Sequence, residues 1–295
     1  MAKDLAARFP AARETLDAID HVLGLSLSRL MFDGPEEELT ATHNAQPAIL
    51  AHTAAVFAVV APHAGRHVVA AAGHSVGEYA AYVTAGALAP TDAAALVRRR
   101  GELMHQAGTE RPGTMAAVLG LDTADVEAAC REASNNGSIA VAANLNAPDQ
   151  TVVSGDPDAV ARAGQACRAR GAKRVIPLKV SGAFHSPLMA PAAERLHGAL
   201  ERAPFRDPAF PVIANATAEP VREAVRARRL LTDQLTAPVR WVACMQQAAR
   251  LAGGARFVEL GPGKALAGLV TRIVPHAQVV SLGTADEVAE FLEAA

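Results

Sequence analysis

The sequence predicts an α/β protein in which a large domain with a parallel sheet carries a smaller inserted unit. Three observations favour this class. In the outer parts of the chain, short apolar runs alternate with helical patterns, as in a parallel sheet covered by helices on both faces. Residues 114–179 instead follow a β-α-β-β-α-β order, which can fold as a ferredoxin-like unit. The chain of 295 residues is 51% hydrophobic, so it can bury a core in each unit.

The large domain begins with helices and continues with alternating elements. Residues 11–25 and 46–60 carry apolar residues at helical spacing. Residues 67–73 form a short apolar run that ends in Gly73, which is typical of a buried parallel strand. The remaining expected elements are a helix from about 78, a helix over 92–106 with Thr91 as N-cap, a helix over 186–203, a strand over 212–214, a helix over 240–251, a strand over 256–260 and a helix over 264–274.

The inserted unit contains four expected strands and two expected helices. They are strands at 115–119, 139–143, 150–154 and 173–180, and helices at 123–134 and 156–170. The large domain resumes near Val180. We therefore predict a large domain over residues 1–112 and 180–295 and a small subdomain over 113–179.

Composition and charge exclude several classes of function. The 28 Lys and Arg and the 30 Asp and Glu give a net charge of −2, which offers no electrostatic surface for nucleic acid or an anionic membrane. Cys130, Cys167 and Cys244 are scattered without a CxxC pair, so neither a disulfide framework nor a zinc site is expected. Met1–Pro10 lacks the apolar stretch of a signal peptide. We expect a cytoplasmic monomer without a bound metal or cofactor.

A candidate nucleophile lies in the run Gly73-His74-Ser75-Val76-Gly77. This G-x-S-x-G sequence directly follows an apolar run and directly precedes a helical pattern. Such a turn presents the Ser75 hydroxyl at the carboxyl end of a strand, where open α/β sheets place their sites. The Val76 N–H at the start of the next helix can stabilise a developing oxyanion. The alternative is a Gly-rich turn with an ordinary serine.

A serine nucleophile needs a general base, and His185 is the best placed of the 10 histidines. It lies between an expected strand and an expected helix, and Ser186 and Pro187 fit the N-cap and N1 positions of that helix. His185 would then share the rim of Ser75. His74 is expected to point away from Ser75, because consecutive side chains point in different directions. The alternative for His185 is a loop residue with no catalytic task.

Arg100 is a candidate site for an anion. At about 100° per residue, Leu96, Val97, Leu103 and Met104 cluster on one side of their helix, and Arg100 lies in the middle of that stripe. A buried guanidinium is costly without an anion facing it. That anion is either an internal Asp or Glu or a substrate carboxylate held by two hydrogen bonds. Arg98 and Arg99 are expected to face solvent.

Five segments together resemble the malonyl-CoA:acyl carrier protein transacylases. They are GHSVGEYAA (73–81), RRRGELM (98–104), NLNAPDQTVVSG (144–155), SGAFHSPLM (181–189) and ELGPGKALAGL (259–269). Their order and spacing are similar to those of the family over essentially the whole chain. The resemblance implies an α/β-hydrolase-like large domain and a ferredoxin-like small subdomain.

The resemblance also implies an activity and the residues that perform it. Malonyl-CoA and an acyl carrier protein would be the substrates in a ping-pong reaction of fatty acid or polyketide synthesis. Ser75 would be the nucleophile, His185 the base, Arg100 the group that binds the malonyl carboxylate and Val76 the oxyanion donor. The main-chain carbonyl of Gln234 would orient the histidine in place of an Asp.

Four further positions match pocket positions of the family: Gln46, Met104, Asn144 and Phe184. For the first three, structural hydrogen bonding or packing is an equally good interpretation. A bulky residue at the position of Phe184 accompanies selection of malonyl over methylmalonyl in the family. The physical reason is that an aromatic ring fills the space that a methyl group on the malonyl C2 would need.

The sequence departs from the family at its start. Relatives have a short strand and a Gly-Gln-Gly-Ser-Gln loop before the stretch that matches residues 1–6, and that loop supplies a second oxyanion donor. Losing one such donor costs about 100- to 1000-fold in rate. We therefore expect that Met1 is an internal methionine of a longer protein.

Two other functions remain open on the sequence alone. The first is a serine hydrolase with Ser75, an acid such as Glu259, and His276. The second is a non-catalytic paralogue that binds carrier proteins, which the missing loop would favour. Proximity of Ser75 to His276 rather than to His185 would identify the hydrolase.

Overall fold

The computed structural model describes residues 1–64, 67–135, 137–254 and 256–294. Their α/β class agrees with the sequence prediction. The helices, in chain order, are α1 (Lys3–Arg8), α2 (Pro10–Leu23), α3 (Leu27–Asp33), α4 (Glu36–Thr40), α5 (Thr42–Ala64), α6 (Gly77–Thr84), α7 (Pro90–Glu110), α8 (Thr123–Ala133), α9 (Pro157–Ala169), α10 (Ala190–Arg202), α11 (Ala224–Asp233), α12 (Trp241–Ala252), α13 (Ala265–Ile273) and α14 (Ala285–Glu293). The strands are β1 (Ala71–Ala72), β2 (Thr114–Leu119), β3 (Ala140–Ala147), β4 (Gln150–Gly155), β5 (Arg174–Pro177), β6 (Val212–Ile213), β7 (Pro220–Val221), β8 (Phe257–Leu260) and β9 (Val279–Leu282).

Two helix starts differ from the sequence prediction. Helix α7 begins at Pro90 with Ala89 at its N-cap, so the predicted cap at Thr91 is wrong. Proline fits the first helical position because its φ is already helical and its missing N–H is not needed there. The predicted helix over 186–203 begins as a single 3₁₀ turn (Pro187–Met189), and the Ser186 hydroxyl accepts from the Leu188 N–H as predicted for an N-cap.

The strands of the large unit form two small sheets among the described residues. Strand β6 pairs with β1 in parallel and with β7 in antiparallel, and β8 pairs with β9 in parallel. The sequence predicted one parallel sheet and missed β7 and β9. Strand β7 is antiparallel because a short turn returns it beside β6, with the Ala214 N–H donating to the Glu219 carbonyl. The carboxyl end of β1 still leads directly into the turn that holds Ser75.

The inserted segment forms a separate sheet with its own core. Its strand order is β3-β4-β2-β5, and every neighbouring pair is antiparallel. Helices α8 and α9 pack on this sheet around Val118, Val126, Val153, Val160 and Cys167. The order of elements along the chain matches the predicted β-α-β-β-α-β arrangement.

Helix α5 is the apolar centre of the large unit. Its length and composition would suit a membrane span, but it packs against α2, α6 and α7, and 56% of its most apolar window is buried. It is therefore a core helix, buried against neighbouring helices on several sides. Helix α7 packs along it, and Arg100 and Met104 are among the buried residues of α7.

Gly108 of α7 sets the position of the segment that leads to His185. A Cβ atom built on Gly108 would lie 2.2 Å from the Ser181 carbonyl oxygen, so the helix and this segment are in direct backbone contact. A larger residue would push the two apart. The contact therefore fixes residues 181–182 against α7, three to four residues before His185.

Gly108→Ala is expected to lower the free energy of unfolding by about 1–3 kcal/mol, because the added methyl overpacks a backbone contact. Urea unfolding measures this change. Gly198→Ala in α10 is the matched control, because its Cβ would meet only the Arg202 guanidinium at an ordinary 3.5 Å. We expect the control to gain about 0.5–1 kcal/mol from helix propensity. Equal stability of Gly108→Ala and the unchanged protein would contradict the backbone contact.

Candidate active site

Ser75 lies in a strained turn between β1 and α6. Its φ is 52°, in the left-handed region that non-glycine residues rarely occupy. A Cβ on Gly73 would lie 1.9 Å from the Gly77 carbonyl oxygen, so only glycine fits at that position. Gly77 itself faces open space. The predicted strand–turn–helix context of the serine is confirmed, and the first glycine of the motif is the one that the turn requires.

His185 is hydrogen-bonded to the Ser75 hydroxyl. The distance from Ser75 Oγ to His185 Nε2 is 2.7 Å, and His185 Nδ1 lies 2.9 Å from the Gln234 carbonyl oxygen. Because a carbonyl can only accept, the proton belongs on Nδ1, which leaves Nε2 free to accept from the serine. His185 also has a positive φ of 57°. The geometry suits removal of the serine proton by a correctly oriented neutral imidazole.

Burial and a nearby cation keep His185 neutral. Its side chain is buried, and this burial is the largest cause of a pKa lowered from 6.5 to about 3. The positive charge of Arg100 is the next cause and acts in the same direction. The imidazole is therefore available as a base throughout the neutral pH range.

Arg100 is buried beside the serine. Its exposed fraction is 1%, as the phase of the α7 helix predicted. Nη2 donates to Ser75 Oγ at 3.1 Å and to Gln234 Oε1 at 3.0 Å, and Nη1 donates to Gln46 Oε1. The hydrogen-bond acceptors of this guanidinium in the described part of the chain are thus all neutral oxygens. Within the described residues, Arg100 donates no hydrogen bond to an Asp or Glu, so the alternative of an internal acidic partner is wrong.

The N-terminus of α6 lies next to Ser75. Val76 is the N-cap residue of this helix, and its N–H donates to no acceptor within the described ranges. A free N–H at a helix N-terminus, next to the serine, is the arrangement that stabilises an oxyanion. The geometry is consistent with the oxyanion role predicted for Val76.

The four further residues predicted to line the pocket differ in where the structure places them. Gln46 and Met104 lie at the site: Gln46 Nε2 donates to Met104 Sδ at 3.5 Å, and its oxygen binds Arg100. Phe184 is half-buried and packs against the cores of both units. Asn144 is joined by a backbone bridge to Val239 and makes no side-chain hydrogen bond to Ser75, His185 or Arg100 within the described residues.

Sequence reasoning missed two buried polar residues, Asn215 and Glu78. Asn215 Oδ1 accepts from the Ser75 N–H at 2.7 Å, and its Nδ2 donates to the Gly73 carbonyl at 2.8 Å. Asn215 follows β6 by two residues, so its place after a parallel strand beside β1 was the signal that could have found it. Glu78 is fully buried, and this burial raises its pKa to about 7.

His74 points away from the serine, as predicted. Its Nε2 lies 2.8 Å from Asn146 Oδ1, and its ring packs edge-on against Trp241 at 5.4 Å between centroids. These contacts connect the nucleophile turn to the inserted sheet, because Asn146 lies on β3. His74 thereby tethers the two units next to the site.

The chain matches one family of known proteins over nearly its full length. The sequence profile of the acyl transferase domain family matches residues 1–293. The chain is 42% identical to the malonyl CoA-acyl carrier protein transacylase of Bacillus subtilis over 273 residues, which cover 92% of this chain and 86% of the relative. It is 40% identical to the enzyme of the same name from Escherichia coli K12 over 293 residues, which cover 99% and 94%. The chain belongs to the malonyl-CoA:acyl carrier protein transacylase family.

Solved structures of this family superpose closely on the chain. A malonyl transacylase in complex with its type II polyketide synthase acyl carrier protein has a TM-score of 0.95 at 39% identity, covering 100% of this chain and 95% of that one. The acyl carrier protein S-malonyltransferase of Vibrio cholerae has a TM-score of 0.94 at 38% identity, covering 99% and 94%. The predicted resemblance to the transacylases is confirmed.

The hydrolase alternative is not assembled in this structure. The Glu259 carboxylate accepts from the Leu266 and Ala267 N–H groups, so it caps the start of α13. His276 lies in the segment between α13 and β9, beside Phe257. Ser75 instead bonds to His185, whose other nitrogen meets a main-chain carbonyl.

The Arg100 charge is expected to shift the pH dependence of Ser75 reactivity beyond the effect of burial alone. Because this charge lowers the pKa of His185, Arg100→Met should raise that pKa and move the acidic limb of the rate towards higher pH. The measurement is the rate of inactivation by phenylmethanesulfonyl fluoride, an uncharged serine reagent, as a function of pH. Arg99→Met, on the exposed side of α7, is the control and should leave the limb in place. A limb that stays or moves to lower pH in Arg100→Met contradicts the coupling.

Proposed function

We propose that this chain transfers a malonyl group from coenzyme A to an acyl carrier protein through an ester on Ser75. The observation that carries the proposal is the Arg100 guanidinium, which is buried, bonded to neutral oxygens, and 3.1 Å from the Ser75 hydroxyl. A planar cation at this distance suits an acyl group that carries a free carboxylate at the end away from the ester. Membership of the transacylase family supports the same activity.

The first half-reaction forms the ester. His185 Nε2 takes the Ser75 proton while Oγ attacks the thioester carbonyl, and the Val76 N–H stabilises the resulting oxyanion. The intermediate collapses as the bond to sulfur breaks, and the imidazolium returns the proton to the departing thiolate. Malonate then remains as an ester on Ser75, with its free carboxylate bound to Arg100.

The second half-reaction repeats these steps in reverse order. The thiol of the carrier protein's phosphopantetheine arm gives its proton to His185 and attacks the ester carbonyl. The bond to Ser75 Oγ breaks, and the imidazolium reprotonates the serine. Gln234 contributes its carbonyl to hold the imidazole in one orientation through both halves.

The proposal also covers the division into domains, the oligomeric state and the cellular compartment. We propose that residues 1–112 and 180–295 form an α/β-hydrolase-like catalytic domain and that residues 113–179 form a ferredoxin-like subdomain. The separate cores of the two units support this division. We also propose a cytoplasmic monomer, and the three free, buried cysteines suit a reducing compartment. Asn144 is proposed as a pocket residue on the strength of the family resemblance alone.

Arg100→Ala tests the proposed activity. Losing two charge-assisted hydrogen bonds is expected to lower kcat/KM for malonyl-CoA by about 100- to 1000-fold, while transfer from acetyl-CoA is unchanged or improved. Radiolabelled acyl-CoA and purified carrier protein measure both rates. Arg99→Ala, one residue away on the exposed side of α7, should keep both. Unchanged malonyl kinetics in Arg100→Ala would refute the carboxylate role, and an unlabelled Ser75 in the unchanged enzyme would refute the transferase itself.

Phe184→Ala tests selection of the acyl group. Removing the ring opens space next to His185, and one methyl group is worth about 1–3 kcal/mol of discrimination. We expect the ratio of kcat/KM for methylmalonyl-CoA to that for malonyl-CoA to rise by about 10-fold or more. Competition between the two thioesters for one carrier protein measures this ratio. A ratio equal to that of the unchanged enzyme would exclude Phe184 as the selecting side chain.

A further inference from the structure

Glu78 is a fully buried carboxyl group that the proposed proton transfers do not use. It lies on α6, one helical turn beyond Ser75. One of its oxygens, Oε2, accepts from the Asn215 N–H at 2.9 Å and from Gln234 Nε2 at 2.7 Å. Its other oxygen, Oε1, is buried without a partner among the described residues. Burying a carboxyl group with one oxygen unpartnered costs free energy. We therefore ask what the two hydrogen bonds to the other oxygen do for the site.

The first partner of Glu78 holds the nucleophile turn. With its own N–H bound to Glu78, Asn215 uses its side chain to accept from the Ser75 N–H and to donate to the Gly73 carbonyl. Asn215 therefore grips the turn on both sides of the serine. This contact offsets part of the cost of the positive φ at Ser75.

The second partner of Glu78, Gln234, contacts three residues of the site, Ser75, His185 and Arg100. The main-chain carbonyl of Gln234 accepts from His185 Nδ1. In the side chain of Gln234, Oε1 accepts from Arg100 Nη2, and Nε2 donates to the Ser75 carbonyl at 3.1 Å and to Glu78 Oε2. The orientation of this amide follows from its neighbours. Arginine can only donate and Glu78 Oε2 accepts, so the amide oxygen must face Arg100 and the amide nitrogen must face Glu78.

We propose that Glu78 is a positioning residue, which holds Asn215 and Gln234 so that Ser75, His185 and Arg100 keep their mutual geometry. The proposal rests on the transfer activity proposed above and adds a residue to its machinery. Glu78 does not contact the acyl group. It acts through two neighbours, and displacing a reacting group by about 1 Å can cost about 100-fold in rate.

Three replacements of Glu78 separate positioning from charge. Glu78→Gln keeps an oxygen that can accept both hydrogen bonds, and its NH₂ group takes the unpartnered side. Glu78→Ala removes both hydrogen bonds. Glu78→Asp keeps an ionisable carboxyl group but withdraws it by one methylene, so the group reaches neither partner from the same backbone. Glu201→Gln, on the exposed surface of α10, is the matched control for the loss of one acidic residue.

The test measures kcat and KM for malonyl transfer and, separately, the rate of Ser75 inactivation by phenylmethanesulfonyl fluoride. Both are normalised to the folded fraction from circular dichroism. We expect Glu78→Ala and Glu78→Asp to lower kcat by about 100-fold, to raise KM for malonyl-CoA and to slow inactivation. The reason is that Gln234, which contacts both Arg100 and His185, is then no longer held by Glu78. We expect Glu78→Gln to recover kcat to within about 10-fold of the unchanged enzyme, and Glu201→Gln to match it.

A merely structural role predicts a different result. It would lower the melting temperature and the folded fraction, while the protein that remains folded kept the original kcat, KM and inactivation rate; that result would overturn the proposal. Loss of activity in Glu78→Gln equal to that in Glu78→Asp would also overturn it, and this comparison stands even if Glu78→Ala fails to fold. The inactivation rate needs only a reactive Ser75 and His185, so it reports on positioning even if the acyl group proves not to be malonyl.

Discussion

The buried guanidinium of Arg100 is the constraint on which the rest of the site depends. Removing a cation from water costs several kcal/mol unless other groups replace the lost hydration. Here the replacements are the amide oxygens of Gln46 and Gln234, with the ring of Tyr79 at 5.9 Å. These groups solvate the charge without neutralising it. A carboxylate bonded at the same place would have stabilised the resting protein and competed with the substrate for the same two N–H groups.

The same charge acts on the base. Burial first, and then the fixed cation, lower the pKa of His185 and so keep it in the form that can accept the serine proton. During acyl transfer the imidazole must nevertheless become an imidazolium for a short time. A substrate carboxylate bound to Arg100 offsets the cation and so lowers the free-energy cost of that step. Recognition of the acyl group and readiness of the base are therefore coupled through one side chain.

The sequence predicted the parts of this site that have a local pattern. The glycine spacing around Ser75 and the helical phase of Arg100 both depend on neighbours within a few residues. Glu78 and Asn215 were missed because a carboxylate on a helix is normally assigned to the surface, and their burial depends on segments more than 130 residues apart. Strand β7, which was also missed, has only two residues and is too short to show an alternating pattern. The inserted unit was predicted well, because its strands are longer and its turns lie between clear helices.

Gln234 offers a lesson about how such proteins diverge. The atom that orients His185 belongs to the main chain, so any amino acid at this position would supply it, and comparison of sequences alone would give no reason for glutamine. The side chain has another task in this structure: it lies between the Arg100 guanidinium and the buried Glu78 carboxyl group and hydrogen-bonds to both. A replacement that keeps the main chain in place would still supply the carbonyl to His185, but it would remove the side-chain contacts to Arg100 and Glu78.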